Sequence, residues 1–201
     1  MPAPRPHDLL RLSDRTSLPA DAPGWAAQEL RRTPWVVVRR GSAPHGLIPV
    51  GVRGDNRAQR YGMYSQPDDV HTLVTPESLT CSISTRSVAA IHALRLARPL
   101  LDATGLGWGP TGSVGFELAT GKPTATPDSD LDLLIRADDL RNELPLLTSL
   151  HHQLRALPAR VDCLVETASG ALALAELADS RTDLLLRTPG GPCLVARSRL
   201  S

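Results

Sequence analysis

The sequence has almost no lysine and no surplus of either charge. Lys122 is its only lysine, and the 201 residues carry 22 basic and 21 acidic side chains. The balance is even along the chain, with 10 basic and 8 acidic residues up to residue 78, and 12 and 13 after it. A protein that neutralises a phosphate backbone needs a large basic surplus, which neither part has. The composition therefore disfavours bulk nucleic-acid binding.

Cysteines are few, and long apolar runs are absent. Cys81, Cys163 and Cys193 are odd in number and far apart, and no Cys-x-x-Cys pair occurs. Neither a disulfide framework nor a zinc site is indicated, so we expect reduced thiols. Residues 1–6 lack the apolar run of a secretion signal, and no stretch approaches the length of a membrane span. We therefore expect a cytoplasmic protein.

The first 78 residues have the pattern of a small β-rich domain. Apolar runs at 35–38 and 47–52 alternate with turns that contain proline and glycine. Short runs rich in β-branched residues are typical of strands. Pro76 pushes the residue before it toward extended geometry, and a helical pattern begins soon after. These features predict a domain boundary at residue 78.

The second part, residues 79–201, alternates helices with strands. A helix is predicted over 86–103, because its apolar residues recur on one side, Ser84 or Thr85 can cap it, and Gly105 can end it. Further elements are predicted in the order strand, helix, strand, short helix and hairpin turn, at 131–135, 138–157, 160–167, 171–178 and 189–192. Together the two parts predict an α+β protein.

The strongest chemical signal joins a glycine-serine turn to a pair of aspartates. Gly112-Ser113 opens a short helical segment, and Asp130 and Asp132 stand at the start of a predicted strand. Residues two apart on a strand point to one face, where two carboxylates repel unless a cation lies between them. Magnesium suits such a pair, because it takes oxygen ligands and bridges carboxylates to substrate phosphates. The turn suits phosphate too, since a helix N-terminus offers free N–H groups.

A third carboxylate is expected on a neighbouring strand. Asp162 lies between apolar residues, as an acid that projects from a central strand would. An Asp-x-Asp pair alone is a weak signal, because such pairs are common in solvated turns. The full order of turn, helix, Asp-x-Asp strand and apolar-Asp-apolar strand favours a catalytic site. The candidate catalytic residues and metal ligands are Asp130, Asp132 and Asp162, and Gly112 and Ser113 are candidates for binding substrate.

Three arginines follow the second apolar run of the first domain. Arg53, Arg57 and Arg60 lie within eight residues of one another. Two interpretations are open for them. They could form a solvated loop, or they could recognise an anion, either a polyphosphate or an acidic protein surface.

The order of these motifs resembles the polymerase-beta-type nucleotidyltransferase superfamily. Within it, the segment 108–121 (WGPTGSVGFELATG) and the segment 129–133 (SDLDL) are similar to the phosphoribosyl-dephospho-CoA transferases of malonate decarboxylase, also called holo-acyl-carrier-protein synthases. The segments 5–10 and 49–54 resemble the N-terminal domain of that family. The resemblance covers nearly the whole chain.

The resemblance implies a fold, a reaction and its partners. The fold would be a small β-rich N-terminal domain followed by a nucleotidyltransferase-like core, with a mixed sheet flanked by helices. The enzyme would transfer a phosphoribosyl-dephospho-CoA group from triphosphoribosyl-dephospho-CoA to a serine of the apo acyl carrier protein subunit, releasing diphosphate. Asp130 and Asp132 would be the catalytic pair, with Mg²⁺ as cofactor, and Asp162 would complete the cluster or help to deprotonate the serine.

Two other functions remain as alternatives. One is an ATP-dependent adenylyltransferase of the same fold that acts on a small molecule or protein, although the long gap between Ser113 and Asp130 argues against an ordinary nucleoside triphosphate. The other is an inactive scaffold that binds the carrier protein through the arginine-bearing first domain. The presence of all three aspartates argues against such a loss of activity.

Overall fold

The computed structural model describes residues 3–13, 16, 18–56 and 58–199. The chain forms two compact units. The first consists of Met1–Thr75 and Ala119–Lys122, and the second of Pro76–Leu118 and Pro123–Ser201. The predicted boundary at residue 78 divides the sequence once, whereas the first unit also includes four residues from the second half of the chain. The only lysine is one of these four.

The first unit is a five-stranded antiparallel sheet with one helix. Its strand order is β4-β3-β2-β1-β5. Side chains alternate across the pleat, and Val36, Val50 and Val52 are fully buried in one core with Ala26 of the helix. The β-rich N-terminal region is confirmed. The elements are β1 (Leu9–Leu12), α1 (Gly24–Arg32), β2 (Trp35–Val38), β3 (Ile48–Arg53), β4 (Arg60–Ser65) and β5 (Val70–Val74).

The second unit is a six-stranded mixed sheet with helices, which confirms the α+β class. Its strand order is β11-β10-β9-β8-β7-β6; β7 and β8 are parallel, and the other neighbours are antiparallel. The elements are α2 (Ala89–Asp102), β6 (Trp108–Pro110), α3 (Gly112–Thr120), β7 (Leu131–Arg136), α4 (Leu140–Leu154), β8 (Val161–Thr167), β9 (Gly170–Ala173), α5 (Leu174–Ala178), β10 (Asp183–Thr188) and β11 (Gly191–Ala196).

Strand β7 lies inside the core of the second unit. Leu131, Leu133 and Ile135 are almost completely buried, together with apolar side chains of α2 and α4. A strand covered in this way holds its polar residues at fixed positions, because a shift of one residue would bury them. The longest described helix, α4, has 15 residues, and no helix in the described ranges has the length and apolar character needed to cross a bilayer.

Two element boundaries differ from those predicted. Helix α2 begins at Ala89 rather than at residue 86, and its N-cap residue is Val88, with no side-chain cap. The predicted cap at Ser84 or Thr85 is therefore wrong. Residues 170–173 form β9, not the start of a helix, and only 174–178 are helical. In β9, pairing with β8 outweighs the helix propensity of alanine.

Candidate active site

The glycine-serine turn lies directly against the carboxylate of Asp132. Gly112 has a φ of +58°, and a Cβ atom placed on it would lie 1.8 Å from Asp132 Oδ2. The backbone N–H of Thr111 also donates to the carbonyl of Asp132, over 2.9 Å. Only glycine fits here, because a side chain would clash with the carboxylate and the left-handed φ disfavours other residues. The structure thus brings together the two motifs that the sequence separates by 16 residues.

Helix α3 begins at this contact. Its first described helical bond runs from the N–H of Gly115 to the carbonyl of Thr111, so the amides of residues 112–114 precede the hydrogen-bonded turn. Ser113, the second residue of α3, is 7% exposed, and its carbonyl accepts a bond from Thr124 Oγ1 over 2.8 Å. A helix N-terminus beside a carboxylate can hold a phosphate only if a cation offsets the carboxylate charge.

The three predicted aspartates occupy two adjacent strands. Asp130 precedes β7, Asp132 lies within it, and both are half-buried. Asp162 is the register partner of Asp132 in the parallel pair β7–β8. Since neighbouring strands are about 4.8 Å apart, the side chains of Asp132 and Asp162 are neighbours on one face. The backbone N–H of Leu131 donates to the carbonyl of Arg160, which keeps the starts of the two strands level.

Asp162 already has a cationic partner. Its Oδ1 accepts bonds from Nε and Nη2 of Arg160 over 3.1 and 2.9 Å, and its side chain is 47% exposed. Within the described residues, no three His, Cys, Asp or Glu side chains are grouped so that they could hold a metal ion. Mg²⁺ needs only one or two protein carboxylates when substrate phosphates and water supply the rest. The oxygen donors of Asp130 and Asp132 fit that requirement, and a metal-ligand role for Asp162 stays a prediction.

A buried glutamate on α3, which the sequence analysis missed, holds the loop that leads to Asp130. Glu117 is 5% exposed, and its Oε2 accepts bonds from Arg86 Nη1 at 2.6 Å and from the backbone N–H groups of Thr124 and Ala125 at 2.9 and 3.0 Å. Arg86 also donates to the Ala125 carbonyl over 3.0 Å. The sequence signal that could have identified Glu117 is its position as the single charged residue within the apolar run 114–119. Glu117 therefore fixes the path from α3 back to the aspartates.

The arginine segment belongs to the first unit. Arg53 and Arg60 are register partners at the ends of β3 and β4. Arg60 Nη1 donates to the carbonyls of Asn56 and Gln59 over 3.0 and 2.9 Å, so this side chain helps to shape the loop. Arg57 lies outside the described residues. The role of these arginines in binding substrate stays a prediction.

The thiol near the aspartates is not a nucleophile. Cys163 follows Asp162 in β8 and points into the core, where burial raises the pKa of its thiol far above neutral pH. A thiol that remains protonated neither attacks phosphorus nor binds a metal well. The chemistry available at this site therefore comes from carboxylates, the α3 N-terminus and guanidinium groups.

Comparison with known proteins gives the family. The family model described as phosphoribosyl-dephospho-CoA transferase MdcG N-terminal domain matches residues 5–76, and the one for the C-terminal domain matches residues 78–198. Relatives with the name phosphoribosyl-dephospho-CoA transferase include a Pseudomonas putida protein, 42% identical over 98% of this chain and 95% of its own length. An Azotobacter vinelandii protein is 42% identical (96% and 92%), and one from Klebsiella pneumoniae is 40% identical (96% and 95%).

No solved structure is significantly similar to the chain. The family models nevertheless cover both parts of the sequence, including the glycine-serine turn and all three aspartates. The named relatives match over nearly their whole length as well. The chain therefore belongs to the phosphoribosyl-dephospho-CoA transferase family and is a transferase.

Proposed function

We propose that the chain transfers the phosphoribosyl-dephospho-CoA group from triphosphoribosyl-dephospho-CoA to a serine of the apo acyl carrier protein subunit of malonate decarboxylase, with release of diphosphate. The names of its relatives support the dephospho-CoA substrate. The observation that carries the proposal is the contact between Gly112 and the carboxylate of Asp132. It puts a helix N-terminus beside paired acids, an arrangement that suits phosphoryl transfer.

The proposed reaction exchanges one phosphorus–oxygen bond for another. The oxygen of the acceptor serine bonds to the α-phosphorus of the triphosphate, the bond from that phosphorus to the bridging oxygen breaks, and diphosphate leaves with the electron pair. The serine proton passes to a base. Asp162 is the candidate base, or else it completes the acidic cluster.

The other residues bind and orient. Backbone N–H groups at the start of α3 donate to phosphate oxygens, and Ser113 lies in this first turn. Asp130 and Asp132 would hold Mg²⁺. When bound, the ion neutralises charge on the phosphates and on the leaving diphosphate. Gly112 lets the helix approach Asp132 closely enough for the amides and carboxylates to act on the same phosphate group.

Ligand-dependent stability tests the substrate class. A ligand that binds only the native state at about 100 times its dissociation constant adds about 2.7 kcal/mol. For a chain of this length, that raises Tm by about 5–10 °C. With Mg²⁺ present, we expect triphosphoribosyl-dephospho-CoA to raise Tm more than ATP does at equal concentration. A rise with ATP and none with triphosphoribosyl-dephospho-CoA would contradict the proposal and favour the adenylyltransferase.

A further inference from the structure

One face of the sheet in the first unit carries a line of arginines. Helix α1 and the apolar core lie on the other face. Arg11 of β1 is the register partner of Trp35 in β2 and of Thr72 in β5. The register of β2 with β3, continued by two residues, places Trp35 beside Arg53, and Arg53 is the partner of Arg60. Arg11, Trp35, Arg53 and Arg60 therefore follow one another across four adjacent strands, on the face away from the core.

A fourth arginine is held on the same face. Gly51 and Gly62 are register partners in β3 and β4, and both lack the side chain that would cover this part of the sheet. Arg39 occupies the space: a Cβ on Gly62 would lie 2.0 Å from its Nη1, and a Cβ on Gly51 would lie 3.3 Å from its Cδ. Arg39 is nevertheless exposed. Its guanidinium group is thus positioned in advance by the backbone below it. We name Arg11, Trp35, Arg39, Arg53 and Arg60 the arginine face.

Two charges on this face, those of Arg11 and Arg39, are not balanced within the sheet. None of the five strands contains an acidic residue. Among the described residues, no carboxylate forms an ion pair with Arg11 or Arg39. The positive charges of Arg11 and Arg39 are therefore available to an acidic partner.

The composition of the face favours a protein partner over a nucleic acid. Arginine and tryptophan are the residues that contribute most at protein interfaces, and guanidinium groups bind carboxylates through paired hydrogen bonds. A side chain that packs on the backbone, as Arg39 does over Gly51 and Gly62, loses less entropy when a partner binds. The chain as a whole is close to neutral, with a net charge of +1, and lacks the large basic surplus that a nucleic-acid surface needs.

We propose that the arginine face binds an acidic surface of the acceptor protein. The inference rests on the proposed function for the identity of that protein, the apo acyl carrier protein subunit. The face would steer the encounter and set the affinity for the acceptor, and it would take no part in binding triphosphoribosyl-dephospho-CoA.

Binding and turnover of a double variant test the proposal. Arg11→Ser/Arg39→Ser removes two positive charges from the face, and Arg141→Ser/Arg155→Ser removes two exposed charges at the ends of α4 as a matched control. We expect the face variant to raise the KM for the apo carrier protein about tenfold and to flatten its dependence on ionic strength. Its kcat and the Tm rise with triphosphoribosyl-dephospho-CoA and Mg²⁺ should match those of the control. Equal KM values for the two variants would overturn the proposal while leaving the proposed function intact.

A second experiment tests the arginine face independently of the proposed function, for the case in which the wild-type chain does not modify the carrier at all. The proposed function then fails, and the docking role is tested by measuring the binding of two probes of equal charge, polyglutamate and single-stranded DNA. Weaker binding of polyglutamate by the face variant than by the control would support an acidic protein partner. Weaker binding of DNA alone would overturn the proposal in favour of a nucleic acid, and no difference with either probe would reject a docking role for the face.

Discussion

Replacing Gly112 by alanine tests whether the turn and the aspartate act together. Two effects are expected. A non-glycine residue at a φ of +58° costs about 1–2 kcal/mol, which lowers Tm by about 2–8 °C in a chain of this length. The new Cβ would also start 1.8 Å from Asp132 Oδ2, so the carboxylate must move by roughly 1.5 Å to restore a normal contact. A shift of about 1 Å in a catalytic group reduces turnover by about a hundredfold.

Gly121→Ala is the matched control for this substitution. Gly121 follows the other end of α3 and has a φ of +74°, but a Cβ on it would meet no atom within 4 Å. Gly112→Ala should therefore lose at least as much stability as Gly121→Ala, by calorimetry, and only Gly112→Ala should lose transfer activity, by at least about a hundredfold in diphosphate release. Equal turnover in the two variants, measured below both Tm values, would refute the argument that the turn positions Asp132.

Buried charges and thiols elsewhere in the chain give further measurable consequences. Glu117→Gln should lower the free energy of unfolding by about 2 kcal/mol, and an unchanged Tm would contradict its loop-holding role. Lys122 Nζ lies 2.5 Å from the buried carboxylate of Glu29. Lys122→Met leaves that carboxylate without its cation, which should lower the free energy of unfolding, measured in urea, by about 3 kcal/mol. Adding Glu29→Gln to the same chain should recover part of this loss. Lys122 also donates a hydrogen bond to Asp55, and this contact lowers the pKa of the Asp55 carboxyl group. The stability that Asp55 contributes is therefore complete above the pKa of an unfolded aspartate, about 4. It is lost as the pH falls through the lower pKa of the folded state. Asp55→Asn should flatten that acid-side decline, and a parallel decline would contradict the pairing. A maleimide at neutral pH should label the two exposed thiols of the folded chain but not Cys163, and labelling of all three would contradict its burial.

Much of the fold near the site could be predicted because local pattern and tertiary structure agree there. The buried run 131–135 appears as β7, and the alternation in 160–167 appears as β8 with Asp162 on the opposite face from Cys163. The Asp-x-Asp spacing already indicated that Asp130 and Asp132 share a face. The parallel register that makes Asp132 and Asp162 neighbours could only be expected in outline, since it depends on the connection through α4.

The parts that could not be predicted depend on partners distant in sequence. Arg86 was placed at the start of a helix, but its guanidinium binds Glu117, 31 residues away, and α2 begins three residues later. Helix α1 gave no usable signal, because its N-cap is Pro23 and no side chain caps it. Lys122 pairs with Glu29 across 93 residues, which no local pattern indicates.

The mass of the acceptor after incubation with the enzyme tests the central claim most directly. The wild-type chain, triphosphoribosyl-dephospho-CoA, Mg²⁺ and the apo carrier protein should yield carrier with one phosphoribosyl-dephospho-CoA group on a serine and one equivalent of diphosphate. Asp130→Ala and Asp132→Ala should remain folded and be at least about a hundredfold slower, whereas Asp128→Ala, on the exposed loop before them, should retain wild-type turnover. Unmodified carrier with the wild-type chain, or full activity in both site variants, would contradict the account.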